Sequence, residues 1–175
     1  GIDVVGVEDW HQANVTGAGL RIGVLDLGFA NYENLLGVEL PDTVPLATFG
    51  WTDEEEIHGT ACAEIIHEVA PGAELFFAWY DVSDAAMGEA VDWLMKQGVD
   101  IVSHSASGLI GPRDGTEWNA QLVDELAAQG ILWVNSSGNE GLAHYRGLFT
   151  DEDGNGFHEF APGEETLALY NDGYV

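Results

Sequence analysis

LRIGVLD, at residues 20–26, decides the fold. After Arg21 the run is almost wholly apolar, is too short for an ordinary helix, and ends on Asp26 with Gly28 two residues on. A strand buried on both faces reads as a continuous apolar run, and such strands belong to parallel sheets. Downstream, HGTACAEIIHEV at residues 58–69 has helical spacing, with Ala61, Ile65, Ile66 and Val69 on one face, and Pro71-Gly72 stops it. Residues 74–80 (ELFFAWY) read as a second strand. Residues 83–96 read as a helix capped by Ser83, with Ala86, Ala90 and Leu94 four apart and Gly98 at its end. Residues 100–104 are a third strand, 117–129 a third helix closed by Gly130, and 131–135 a fourth strand.

Strands and helices therefore alternate. That order predicts an α/β fold: a doubly wound parallel sheet with right-handed crossovers and helices on both faces. Ligands of such sheets bind beyond the carboxyl ends of the strands. Asp26, residues 103–108 and residues 135–141 all fall at those ends.

The composition narrows the function classes. The 175 residues, 46% of them hydrophobic, suffice for one domain with a real core. Thirty-one acids face four Lys and Arg, a net charge of −27. Phosphate backbones and anionic membrane surfaces both demand basic faces, so neither nucleic acid nor membrane is expected as a partner. A strongly solvated surface, adaptation to salt and bound Ca²⁺ are all consistent with that charge. No apolar run reaches the length of a membrane span. With Cys62 as the sole cysteine, no intramolecular disulfide forms. The sequence opens on Gly1 without a charged-then-apolar leader, as expected where a signal or pro-segment has been removed or lies outside residues 1–175.

Four motifs carry chemistry. VLDLG (24–28) is a strand, an Asp and a Gly turn; HGTACAE (58–64) opens a helix with His58; DIVSHSASG (100–108) and VNSSGNEG (134–141) each follow an apolar strand. Singly, Asp26 reads as a turn residue, His58 as a helix-terminal His and Asn139 as part of a Gly-Asn turn. In this order they resemble the subtilisin-like serine proteases over residues 2–141, and residues 6–20 (GVEDWHQANVTGAGL) are similar to that family's first helix and turn. The resemblance implies a subtilisin-like three-layer fold and Asp-His-Ser acyl transfer. Asp26 then orients the imidazole, His58 is general base and acid, and Asn139 donates to the oxyanion. It implies that Ser103, Ser105, Ala106, Ser107 and Gly108 bind substrate by strand addition. Ala106 and Ser107 stand where the family has a larger apolar residue and a Gly, and His104 reads as a packed or solvated His. The chemistry needs no cofactor, and secretion or cell-surface display is implied.

The family's nucleophile lies in a Gly-Thr-Ser-Ala-like turn. None of Ser83, Ser103, Ser105, Ser107, Ser136 and Ser137 has that context. The expectation is one partial catalytic domain over residues 1–175, incomplete at its C-terminus and inactive alone; a non-catalytic peptide-binding module is the alternative. Such a domain exposes an apolar surface and pairs with the absent segment or a second copy. Cys62 reads as a small core residue rather than a nucleophile, and a His58/Cys62 zinc site lacks further ligands at suitable spacing. Finally, Asp151, Asp153 and Asn155 precede Gly156 in a D-x-D-x-N-G array, the first half of a calcium loop. Its twelfth position is Pro162 rather than Glu, so on the spacing alone an acidic solvated turn is the favoured reading.

Overall fold

The computed structural model describes residues 2–106, 115–139, 148–160 and 162–165, which fall into two compact units, Gly1–Ser137 and Gly138–Val175. The first unit opens with two short helices, α1 (Ile2–Val5) and α2 (Val7–Gln12). Then come β1 (Arg21–Asp26), a 3-10 turn (Tyr32–Leu35), β2 (Leu46–Phe49), α3 (His58–Val69), β3 (Glu74–Tyr80), α4 (Asp84–Gln97), β4 (Ile101–His104), α5 (Trp118–Ala128) and β5 (Leu132–Asn135). All five strands are parallel, in the spatial order β2-β3-β1-β4-β5.

The apolar run of β1 places it at the centre. Ile22 and Val24 enter one core with Leu75 and Phe77 of β3 and Ala63 of α3. Leu25 enters the opposite core with Phe76, Ala78 and Tyr80 of β3, Ala90, Val91 and Leu94 of α4, and Leu126 of α5. Successive strand side chains point to opposite faces, so each half of each apolar run meets a different helix layer. Gly23 lets α4 close on the sheet, because a Cβ there would lie 2.8 Å from the Leu94 side chain.

Ser83 caps α4 as expected, its hydroxyl accepting from the Ala86 amide at 3.3 Å, and Gly98 ends it in the left-handed region at φ 70°. Two features depart from the sequence reading. An additional strand, β2, lies at the sheet edge, where its four residues between Pro45 and Gly50, three half-buried and Thr48 exposed, show no apolar run. In α3 the buried residues are Gly59, Thr60 and Ala63, while Ile65 and Val69 of the predicted apolar face are 62% and 40% exposed. The helix is apolar on more than one side, and periodicity alone cannot say which side meets the sheet.

The second unit carries no named helix or strand among its described residues. Thr150 and Glu159 clamp its described part: the Glu159 amide donates to the Thr150 carbonyl and the Thr150 hydroxyl to the Glu159 carbonyl, both at 2.8 Å. His158 sits between the rings of Phe149 and Phe160.

No helix among the described residues is long and apolar enough to cross a membrane.

Candidate active site

Asp26 ends β1 at the sheet's carboxyl edge, and its side chain is only 2% exposed. The chain after β1 returns through α3 on one face and the chain after β4 through α5 on the other, so β1 and β4 flank the switch point where such sheets bind ligands. His58, the first residue of α3, points its Nδ1 at the Asp26 carboxylate, 3.0 Å from Oδ1 and 2.9 Å from Oδ2. The carboxylate also accepts from the Leu27 amide at 2.8 Å. A carboxylate only accepts, so His58 carries its proton on Nδ1 and leaves Nε2 as a base. The imidazole is half-exposed, with a side-chain exposure of 53%. A base against a buried carboxylate, open to solvent on its far side, suits proton transfer.

Backbone contacts set this distance. The Gly59 amide donates to the Gly28 carbonyl at 2.8 Å, the Ala30 amide to the Glu56 carbonyl at 2.9 Å, and the His58 amide to the Glu56 carboxylate at 2.8 Å. Thr60 anchors the other side of the turn. Its hydroxyl donates to the Ala30 carbonyl at 3.0 Å.

Cys62 lies one turn on, with Sγ 3.9 Å from His58 Nδ1. Burial first, then Asp26, push its thiol above the ordinary range against a lowering by Ser105, the reverse of an activated nucleophile. Among the described residues, Asp26, His58 and Cys62 form a group whose ligand atoms all lie within 4.8 Å of one another. The third ligand absent from the local spacing is thus Asp26, brought in from 32 residues away. A cation there would take the Asp26–His58 hydrogen bond for itself.

Of the expected substrate-binding residues, Ser103 lies inside β4, between Val24 of β1 and Val134 of β5. At Ser103 both sides of the ladder are filled. Ser105 and Ala106 follow β4 and are half-buried, while Ser107 and Gly108 lie outside the described residues.

Beside Ala106 opens a cavity of about 1170 Å³, whose walls include Tyr80, Met87, Trp118 and Trp133. His104, 7% exposed, lies at its floor, where Nε2 is 2.8 Å from the Tyr80 hydroxyl and Nδ1 is 2.6 Å from Asn135 Oδ1. Burial keeps this imidazole below the ordinary histidine range and pushes the Tyr80 phenol up to about 12. Tyr80 and Asn135 are partners that sequence reasoning did not assign; the signal was a His ending a central strand, which needs a buried polar partner.

Asn139 belongs to the second unit and is exposed, preceded by Gly138 at φ 82°, a conformation glycine tolerates. In the acidic loop, Asp151 accepts from the amides of Gly154, Asn155 and Gly156 at 2.7, 3.0 and 2.9 Å. The Asn155 side chain donates to Asp153 at 3.0 Å and also to Glu165. Desolvation and then Glu152, Asp153, Asp151 and Glu165 raise the Glu159 carboxyl. Converging acids fit a hard cation chemically.

Comparison with known proteins gives one answer. The model of the subtilase family matches residues 17–167. Alkaline elastase YaB of Bacillus sp. (strain YaB) is 27% identical over 156 residues, covering 82% of this chain and 40% of that protein. Subtilisin BL of Lederbergia lenta is 25% identical over 155 residues, covering 82% and 56%. The chain thus spans between 40% and 56% of the length of these curated relatives. Among solved structures, the prenylagaramide maturation protease PagA (18% identity, TM-score 0.57) covers 78% of this chain and is itself covered over 52%. MycP1 with its N-terminal propeptide removed (20% identity, TM-score 0.58) covers 88% and is covered over 53%. These two likenesses speak for the fold alone.

Proposed function

Because the chain belongs to the subtilase family, we propose that Asp26 and His58 are two members of an Asp-His-Ser triad and that the protein is an endopeptidase acting on peptides or proteins. The observation that carries the reading is the Asp26–His58 Nδ1 contact at 2.9 Å, with Asp26 buried and the imidazole open on its other side. His58 Nε2 takes the proton of a serine hydroxyl as its oxygen attacks the scissile carbonyl, then delivers it to the leaving amine. Asp26 holds the ring and stabilises the imidazolium. Asn139 donates to the oxyanion, and Ser105, Ala106, Ser107 and Gly108 pair with the peptide backbone.

The nucleophile comes from outside residues 1–175. Among the described residues no serine is hydrogen-bonded to His58, and none of the six serines stands in a Gly-Thr-Ser turn. Residues 1–175 are thus one incomplete catalytic domain, inactive alone. The exposed Ile65 and Val69 of α3 fit a surface that the remainder of the protein, or a second copy, covers. Purified residues 1–175 are expected to show no peptidase activity, and a longer protein with a Gly-Thr-Ser-Ala-like segment to show it. Turnover by the short chain that vanishes in His58→Ala would refute the split. A full-length protein without such a serine favours the second reading, a peptide-binding module on the same scaffold. Secretion or cell-surface display accompanies the family reading.

Calcium is proposed at Asp151, Asp153 and Asn155, because Asn155 draws the Asp153 and Glu165 carboxylates together next to Asp151, and the surrounding acids raise the Glu159 carboxyl. A hundredfold excess of Ca²⁺ over its Kd adds about 2.7 kcal/mol of stability. That corresponds to a Tm rise of about 5–10 °C for a chain of this size. Calorimetry with Ca²⁺ and with EDTA checks it; an equal Tm in both, or an equal rise in an Asp151→Asn/Asp153→Asn double variant, rejects the site.

A further inference from the structure

His104 makes a chain of hydrogen bonds whose direction is determined at every link. Asn135 Oδ1 is 3.2 Å from Trp133 Nε1, and an indole nitrogen only donates. Asn135 Nδ2 is 3.1 Å from the Ala106 carbonyl and 2.7 Å from the Ser136 carbonyl, which only accept. The amide therefore has one orientation, with Oδ1 facing His104 Nδ1 at 2.6 Å. His104 must donate from Nδ1. In the neutral ring Nε2 is then an acceptor, and the Tyr80 hydroxyl donates to it at 2.8 Å.

The chain crosses three strands. It starts at the end of β3, passes through the end of β4 to the end of β5, and returns to Ala106, two residues beyond β4. His104 and Asn135 are register partners, so the sheet itself brings them face to face. The second anchor is the His104 carbonyl, which accepts from the Ser136 amide at 3.1 Å. Ser105 and Ala106 thus leave the sheet under restraint rather than as a loose loop.

We propose that His104 is a positioning residue: through Asn135 it holds the Ala106 carbonyl and so presets the segment after β4 for an extended peptide laid along it. The hydrogen-bond lock stands without the peptidase reading; its use in peptide binding rests on that reading.

The test uses NMR on the full-length protein labelled with ¹³C and ¹⁵N at His, Ser and Ala, with no hydrolysis in the readout. At pH 7 the His104 ring is expected to show a protonated Nδ1 and an unprotonated Nε2. The Ser105 and Ala106 backbone is expected to be rigid, with an order parameter of about 0.85. In His104→Met it should fall below about 0.6 at these two residues, while Ala63 and Ala90 in the core stay unchanged. His104→Gln should restore it, because its amide donates to Asn135 and accepts from Tyr80. If His104→Met fails to fold, Asn135→Ala, at an exposed residue, makes the same test. A protonated Nε2 in the unsubstituted protein overturns the lock. Equal rigidity of Ser105 and Ala106 in the Met or Ala variant overturns the positioning role. Absence of peptidase activity in the unsubstituted full-length protein strikes the peptidase reading alone and leaves these readouts in force.

Discussion

His58→Ala in the full-length protein is expected to lower kcat by about 10⁶-fold while KM hardly moves. That size is the loss known for the triad histidine of subtilisin, borrowed from that enzyme and not calculated for this one. The direction does follow from the geometry. In the proposed mechanism Nε2 acts as the base because Nδ1 is committed to a carboxylate that is 2% exposed. Without the imidazole, a serine hydroxyl near pH 7 has nowhere to send its proton. Asp26→Asn is the sharper companion. Its amide would present a donor toward Nδ1, which turns the ring to the tautomer protonated on Nε2 and removes the base. A loss of about 10⁴-fold is expected, the size seen where the same change traps the wrong tautomer in a serine protease of another fold. Circular dichroism on each variant separates lost chemistry from lost folding, and steady-state kinetics on a peptide amide reads the effect. A folded His58→Ala protein within tenfold of the original kcat would remove His58 from the mechanism.

Gly59→Ala is expected to disturb the same site without touching a reacting atom. A Cβ at Gly59 would lie 2.5 Å from the Gly28 carbonyl oxygen, 2.7 Å from Asp26 Cβ and 2.8 Å from the Phe29 ring. Two of these neighbours belong to the turn that carries Asp26, and none is the tip of a flexible side chain. Something rigid must move, and overpacking of this kind costs about 1–3 kcal/mol, here toward the upper end. The movement separates α3 from the end of β1, so the folded fraction should also lose kcat. Urea unfolding with an unchanged m-value measures the first effect and kinetics the second. A stability change within about 0.5 kcal/mol, the ordinary range of an innocuous surface change, would show that the close approach is not needed.

Much of this site was legible in the sequence because it is written in local chemistry. The apolar run of residues 20–26 announces a strand buried on both faces, and the Asp at its end lands where such sheets bind ligands. His58 at the head of α3 follows from helical spacing and the Gly beside it. Periodicity also found α4 with its Ser83 cap and left-handed Gly98, since capping is a contact between residues three or four apart. The edge strand β2 escaped because its four residues owe their strand to pairing with β3, not to any pattern of their own.

By itself, then, the sequence determined the order of four of the five strands and the helices between them, the residue types that gather at the carboxyl edge, and the extreme negative charge. These depend on contacts within a few positions or on composition. The tertiary structure decided which face of α3 is buried, that Ser103 sits inside the ladder, and that Cys62 shares its surroundings with Asp26 and His58. It also decided that His104, Tyr80 and Asn135 form one directed chain. Those facts depend on strands 24 to 31 residues apart meeting in a particular register, and a parallel register is set by how the whole sheet packs between its helices.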